Sequence, residues 1–339
     1  MNTIPPVVIV GQGLAGTTLA WALKWRGLPF VIYDCPERPA ASQVAAGLVT
    51  PVTGQALRVR PGFIEQLARC RSLYQRIEGQ TGTRFWFEQP ALRLLNTAKD
   101  VDKAAQVARE APQHLALGAG VPDGLGDTLA VATMPHAARL DVGAYLNASR
   151  HTFEQMTCFK AAHIDPASVQ VSPTSAHLRG IDFCAHAVVW CGGALDVHNA
   201  WLPERALNPA RGEMIRVALD GVRTKNTLHR AGKWLRPFDK HTYQFGATYD
   251  HDDPRPVTTI AAGTALLTEL TSWLRHPPEL LEQTAGVRPV SRSRQPLVGP
   301  HPVHERVLYL NGLGSHGVLS APACAERVAD LIEALPRCA

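Results

Sequence analysis

The sequence predicts an α/β fold: a Rossmann-like nucleotide-binding domain interrupted by an antiparallel sheet. Three observations carry the prediction. Four β-branched residues, Val7–Val10, run straight into Gly11-Gln12-Gly13-Leu14-Ala15-Gly16. A second glycine loop, Asn311-Gly312-Leu313-Gly314-Ser315-His316-Gly317, follows an apolar run at 307–310 near the other end. Between the two, residues 207–260 form short β-type runs separated by turn residues.

The N-terminal unit reads as strand, turn and helix. Gly11 permits the tight turn, Gly13 lets a pyrophosphate approach the backbone, and Gly16 lets the helix pack on the strand. Leu14 and Ala15 sit where the helix begins, and its free N–H groups and positive dipole end would face phosphates. Residues 17–26 continue the helix. Gly27 then leads to a second strand, 30–33, that ends at Asp34. A carboxylate about 20 residues past the glycines is placed to accept ribose hydroxyls.

The remaining elements follow in order. Residues 40–49, including Ser42, Ala46 and Gly47, are small and flexible, so backbone could approach a flat ligand. Residues 63–79 carry apolar side chains at helical spacing (Phe63, Leu67, Cys70, Leu73). Two short strands at 85–90 and 91–95 precede a helix at 99–110, a Gly/Pro-rich loop at 118–127 and a helix at 140–149. Strands at 169–171 and 187–190 come next. The second ends in Cys191-Gly192-Gly193, either a further cofactor contact or an ordinary turn. Within 207–260, strands are expected at 214–217, 227–229, 233–236 and 242–248, with a helix at 261–274 whose apolar positions suit one buried face. The last helix is expected at 320–335.

Composition narrows the class. The chain has 339 residues, enough for one large or two medium domains, and 45% hydrophobic residues, ordinary for a globular protein. No apolar run approaches the length of a membrane span, and the first strand begins too early for a signal peptide, so a cytoplasmic protein is expected. A net charge of +5 with scattered basic residues argues against a dedicated nucleic-acid surface but leaves one open. The seven cysteines form no Cys-x-x-Cys pair, which predicts reduced, mostly buried thiols and no metal site. Nothing in the composition sets the oligomeric state.

One glycine-rich βαβ unit does not separate NAD from FAD. The C-terminal loop does: a flavin is gripped along its length, and a helix N-terminus aimed at the reduced ring would stabilise its negative charge. At this point the sequence resembles the D-amino-acid oxidase/glycine oxidase (DAO) family of flavoproteins. The resemblance rests on the N-terminal fingerprint, Ser42 to Gly47, Val189 to Ala194, and Ala210-Arg211-Gly212-Glu213. It continues through Gly246-Ala247-Thr248, Gly286-Val287-Arg288-Pro289, and Gly312 to Gly317 followed by Ala321-Pro322. These pieces fall in the family's order across almost the whole chain. The C-terminal loop is also similar to the FAD module of bacterial tRNA-modifying proteins that oxidise carboxymethylaminomethyl-uridine.

The resemblance implies a Rossmann-like FAD-binding domain of glutathione-reductase type (1–80, 140–206, 285–339). It also implies an inserted antiparallel-sheet substrate-binding domain (81–139, 207–284). FAD would be non-covalent, because no cysteine matches the covalent attachment site of sarcosine oxidases. Its contacts would include Gly11, Gly13, Leu14, Ala15, Gly16, Asp34 and Cys35 at one end. Ser42, Ala46, Gly47, Cys191, Gly192 and Gly193 would follow, with Gly312, Gly314, Ser315, His316, Gly317 and Val318 at the other. The implied chemistry is hydride transfer from the carbon beside an amine to flavin N5. The imine is then hydrolysed, and oxygen or another acceptor reoxidises the flavin. A small-molecule amine or amino acid is the implied substrate.

Arg288 matches the family arginine that holds a substrate carboxylate. Trp234 stands where relatives often carry a substrate-contacting tyrosine. Tyr243 and Tyr249 lie on or near the same sheet, and alternation alone leaves open which faces the flavin. His316 is a candidate base, or else a backbone-positioning residue near the ring. Ser291-Arg292-Ser293-Arg294-Gln295 replaces a loop in which relatives often have an acid, and reads as a solvated loop or as recognition of an acidic group. Three further readings stay open: oxidation of a modified nucleoside or biosynthetic intermediate, a non-catalytic flavin-binding subunit, and an NAD-dependent dehydrogenase.

Overall fold

A computed structural model describes residues 5–336. The outer limits of the expected FAD domain, residues 1 and 339, and Cys338 lie outside the described residues. A six-stranded sheet forms one layer. Its order is Phe159–Ala161, Phe30–Asp34, Val7–Val10, Val188–Trp190, Val307–Asn311, Leu297–Pro300. All neighbours are parallel except the last pair. The four central strands are largely buried on both faces and therefore read as continuous apolar runs, whereas the edge strands Phe159–Ala161 and Leu297–Pro300 are partly exposed.

Helices α1 (Leu14–Trp25), α3 (Phe63–Thr81), α5 (Val142–Gln155) and α7 (Gly317–Glu333) cover one face around Trp21, Tyr74, Tyr145 and Phe153. Each such fully buried large side chain contributes about 1.5–3 kcal/mol relative to exposure. The other face packs on a small antiparallel sheet, Val169–Val171, Ala176–Leu178, Phe183–Ala185.

An eight-stranded sheet forms the second layer. It contains Glu279–Arg288, Ala210–Ala218, Thr242–Gly246, Lys233–Pro237, Leu228–Arg230, Ala91–Leu95, Ala130–Met134 and Ala116–Leu117, in that order. It is antiparallel except at one point: Leu228–Arg230 runs parallel to Ala91–Leu95. Helix α6 (Ile260–Thr271) and Trp273 pack on its outer face against Ile215, Val217 and Phe245.

Several expected boundaries move. The expected division at 284/285 falls inside the strand Glu279–Arg288, which stays bonded to Ala210–Ala218 along its length. Trp86–Glu88 does not join the large sheet; it pairs with Ala138–Leu140, which pairs in turn with Leu48–Val49. The small-residue stretch after residue 40 contains a short helix, α2 (Ala41–Val44), entered through a Gln43 side chain that accepts from the Ala40 N–H. Thr97 caps α4 (Ala98–Glu110) and Thr259 caps α6, each accepting from the N–H three residues on.

Helix α7 starts at Gly317, earlier than expected, and contains Pro322. Proline has no N–H to give the carbonyl four residues back. That carbonyl, Val318 O, instead accepts from the Tyr74 hydroxyl at 3.0 Å and the Cys70 thiol at 3.4 Å. Burial pushes Cys70 up to about 12, so it stays a thiol. Of the six described cysteines, only Cys70 and Cys191 are buried, and Cys184 is exposed. The expectation of mostly buried thiols therefore fails: Cys35 and Cys158 lie just past element ends, Cys184 is on the edge strand Phe183–Ala185, and Cys324 is only partly covered on α7.

Candidate active site

A cavity of about 1330 Å³ lies between the two layers. That exceeds the roughly 300–1,000 Å³ usual for a small-ligand pocket. At one end it is bounded by Asp34, Cys35 and the glycine turn. The Gly11 backbone (φ 102°) passes so close to the neighbouring strand end that a Cβ would lie 2.7 Å from Cys191 O. Gly13, Leu14 and Ala15 line the wall, and the Leu14 N–H donates to Ser42 Oγ at 3.1 Å. Gly16 does not reach the cavity; a side chain there would collide with the Gly11 carbonyl, so its role is helix-on-strand packing.

The middle of the cavity is bounded by Ala46, Gly47, Cys191, Gly192 and Gly193 on one side. Gly314, Ser315, His316, Gly317 and Val318 bound it on another. Gly312 is the exception in this set. It turns away from the cavity and packs against Ser291 and Leu297, so it shapes the turn and does not form the wall.

Asp196 joins the two glycine loops. Its buried carboxylate accepts from the Gly192 N–H at 2.8 Å, Asn199 Nδ2 at 3.2 Å and Asn311 Nδ2 at 2.9 Å. Burial nevertheless outweighs these donors and raises its pKa to about 6.

Neither α1 nor α7 has a side-chain cap or an acid in its first turn. Their N-termini, at Leu14 and Gly317, open on the same cavity. Two uncompensated positive dipole ends, a close-packed glycine turn and this volume fit a dinucleotide carrying a diphosphate and a flavin ring.

The far end is the inner face of the eight-stranded sheet. Cross-strand partners share a face, so the register Arg93↔His229↔Trp234↔Gly246↔Met214 defines a single row. Arg93, His229, Trp234 and Met214 of that row line the cavity. Tyr243 has the opposite parity. It lies in the outer core with Phe245, and its hydroxyl donates to Val222 O at 2.9 Å. The expectation that Tyr243 is catalytic is thus corrected: it is buried on the wrong side of the sheet. Tyr249, beyond the strand end, does line the cavity.

Arg288 ends the strand Glu279–Arg288 and projects over Gly212, where any side chain would collide with its guanidinium. One bond holds it, from Nη1 to Thr248 O at 3.2 Å, and the guanidinium lies 5.2 Å from the Tyr249 ring centroid. Burial lowers its pKa, and among the described residues it has no acidic partner.

His316 stands at the start of α7. Its side chain is exposed to the cavity, where desolvation by nearby protein, and then the Arg60 charge, lower its pKa to about 4. It is neutral near pH 7 and a poor proton acceptor. Arg292 and Arg294 are exposed and outside the cavity wall, so that loop is solvated.

With this geometry in view, a family profile described as "FAD dependent oxidoreductase" (DAO) matches residues 6–331. The chain belongs to the DAO family. This DAO-family chain is 28% identical over 348 residues to the tRNA 5-methylaminomethyl-2-thiouridine biosynthesis bifunctional protein MnmC of a Caulobacter species, covering 97% of the chain and 55% of that protein. It is 23% identical over 346 residues to glycine oxidase of Bacillus licheniformis, covering 96% of the chain and 92% of that protein. The crystal structure of iminodiacetate oxidase (IdaA) from a Chelativorans species aligns with a TM-score of 0.81. That alignment has 20% identity and covers 98% of this chain and 96% of that one. The chain spans about half the length of the MnmC proteins it matches. As a family member it is an FAD-dependent oxidoreductase.

Among the polar residues of the cavity that sequence reasoning missed, four stand out. Arg150 bonds the Gln12 side chain and pairs with Asp34 at 3.4 Å, so the expected ribose acceptor is already oriented by a cation. Asp196 is the second. Arg93, third, donates to Gly54 O and Val52 O, both at 3.1 Å. His229, fourth, is pushed down to about 3 by burial and then by Arg93. A signal for Arg93 was present: it is the only polar residue in the run Ala91-Leu92-Arg93-Leu94-Leu95.

Proposed function

We propose that this protein oxidises the C–N bond of an amino acid or secondary amine bearing a carboxylate. Arg288 carries the reading. A guanidinium that is half-buried and lacks an acid is poorly solvated, and a substrate carboxylate would complete its shell through a two-pronged bond. Gly212 leaves room for the fork, and Thr248 O fixes its direction. The six-stranded layer would hold FAD, and the inner face of the eight-stranded sheet would hold substrate.

Bound FAD supplies the two-electron acceptor for hydride leaving the carbon beside the nitrogen. The chain's own task is placement. Arg288 sets the carboxylate, Trp234 and Met214 supply an apolar wall, and neutral His316 adds no charge that would repel a protonated amine. The leaving proton goes to solvent, since neither Arg288, Trp234 nor Met214 can accept it. The amine must therefore bind in, or reach, its neutral form.

Anaerobic mixing with amino acids of both hands and with secondary amines tests the proposal. Bleaching of the oxidised flavin band by carboxylate-bearing amines is expected. Absence of bleaching across the whole panel would favour a non-catalytic flavin-binding subunit.

A second reading is supported by the MnmC relatives, which match nearly the whole chain: the secondary amine belongs to a modified tRNA nucleoside. Saturable tRNA binding with a steep salt dependence would favour it. Turnover of free amino acids without such binding would favour the first.

A further inference from the structure

A second cavity, of about 350 Å³, lies on the same inner sheet face as the first but two residues further along each strand, or about 7 Å. Trp234 gives way to Arg236, Met214 to Arg216, Gly246 to Gln244, and Gly286 to Thr284 and Glu282. Val44 of α2 packs on Gly286, where a Cβ would strike its Cγ2, and so stands between the two spaces. Arg139 of the strand Ala138–Leu140, with Asp141 and Gly143 at the start of α5, closes the opposite side.

The charges in this cavity do not balance. Arg139 pairs with Asp141 at 3.3 Å, and Arg216 pairs with Glu282 at 2.9 Å. Arg236 has no acidic partner among the described residues. Its Nε donates to Gln244 Oε1 at 2.9 Å and Nη1 reaches only Pro237 O at 3.5 Å, leaving Nη2 without a bond. Burial, and then the Arg139 charge, lower its pKa to about 10, so it remains a cation. Phe238 lies against both Arg216 and Arg236, at 5.1 and 5.5 Å, and is 49% exposed at the edge of the site. Three cations and two acids leave one uncompensated positive charge in a pocket that opens to solvent past Asp141, Glu282 and Phe238.

We propose that this cavity is a second anion site, separate from the flavin cavity, that takes a small monoanion through its carboxylate. The fork of Arg236, oriented by Gln244, matches a planar carboxylate. The two acids at the rim, Asp141 and Glu282, disfavour a dianion such as phosphate. The volume admits a molecule of a few heavy atoms and no polymer.

The test uses FAD-loaded protein carrying Arg288→Met, so that a carboxylate anchored in the larger cavity does not contribute. Acetate and inorganic phosphate are titrated separately, and binding is read by carbon-13 NMR of labelled acetate and by calorimetry. Acetate should bind at one site and more tightly than phosphate. Adding Arg236→Gln should weaken acetate by about tenfold or more, the usual loss for a charge-assisted pair. Glu282→Gln, at an exposed position that does not threaten folding, should tighten acetate several-fold by raising the cavity charge. Equal acetate affinity with and without Arg236 would overturn the proposal. So would phosphate binding tighter than acetate, or no response to Glu282→Gln.

Discussion

At the scale of single residues, orientation decides role. Tyr243 and Trp234 are both aromatic residues on adjacent strands, yet only Trp234 faces the cavity, because their strand parities differ. Tyr243→Phe should therefore leave kcat and KM unchanged. It should lower stability by about 1 kcal/mol, since it leaves Val222 O without its donor. Chemical denaturation alongside steady-state kinetics checks both parts. His316, held down to about 4, should show no imidazole titration between pH 5 and 8 in an NMR series. A midpoint near 6.5 would restore it as a candidate base. Arg93, His229 and Asp196 escaped the sequence reading for one shared reason. Their significance comes from neighbours far along the chain, and only an Arg within an apolar strand left a local trace.

Elements show the same division between local and distant causes. The first strand–turn–helix was legible because each glycine answers a local steric demand, and α3 because its apolar spacing matches its buried face. The start of α7 was not, because the partners that satisfy Val318 O lie about 245 residues earlier, on α3. This yields a coupling test. Tyr74→Phe should cost about 1–3 kcal/mol in the native background, by leaving a buried carbonyl short of a donor. Pro322→Ala restores the helix N–H, so the same change should cost less there. A double-mutant cycle in denaturant measures the difference, and strict additivity would refute the compensation.

The link between the glycine loops has its own pH signature. Asp196 has a folded pKa of about 6, above its ordinary 3.8. A raised pKa means that its contribution to stability is full below about 4 and is lost as pH rises through 6. The loss is on the order of 3 kcal/mol. Wild-type protein should thus lose stability relative to Asp196→Asn between pH 4 and 6. A pH-independent difference between the two would contradict the burial of that charge.

At the scale of the whole molecule, segments from both ends of the sequence and from its middle enclose one cavity, with a second sheet across it. The order of family motifs made this architecture legible. The exact partition was not, because the strand Glu279–Arg288 serves the large sheet along its length while its last residue serves the site. If one cofactor touches both glycine turns, Gly13→Val and Ser315→Glu should each weaken FAD, although about 300 residues separate them. Restoring FAD to stripped protein at 100 times its Kd should add about 2.7 kcal/mol of stability, read as a rise in Tm. Loss of affinity in only one of the two variants would place the cofactor against a single turn.

Arg288 is the group proposed to select a carboxylate. The most direct test compares an amine substrate with its methyl ester in wild-type protein and in Arg288→Met, each loaded with FAD. Wild-type kcat/KM should favour the free carboxylate by about 100-fold, the scale of a desolvated charge-assisted pair. Arg288→Met should erase that preference, mainly through KM, with bound FAD unchanged. A preference that survives the substitution, or was never present, would contradict the account.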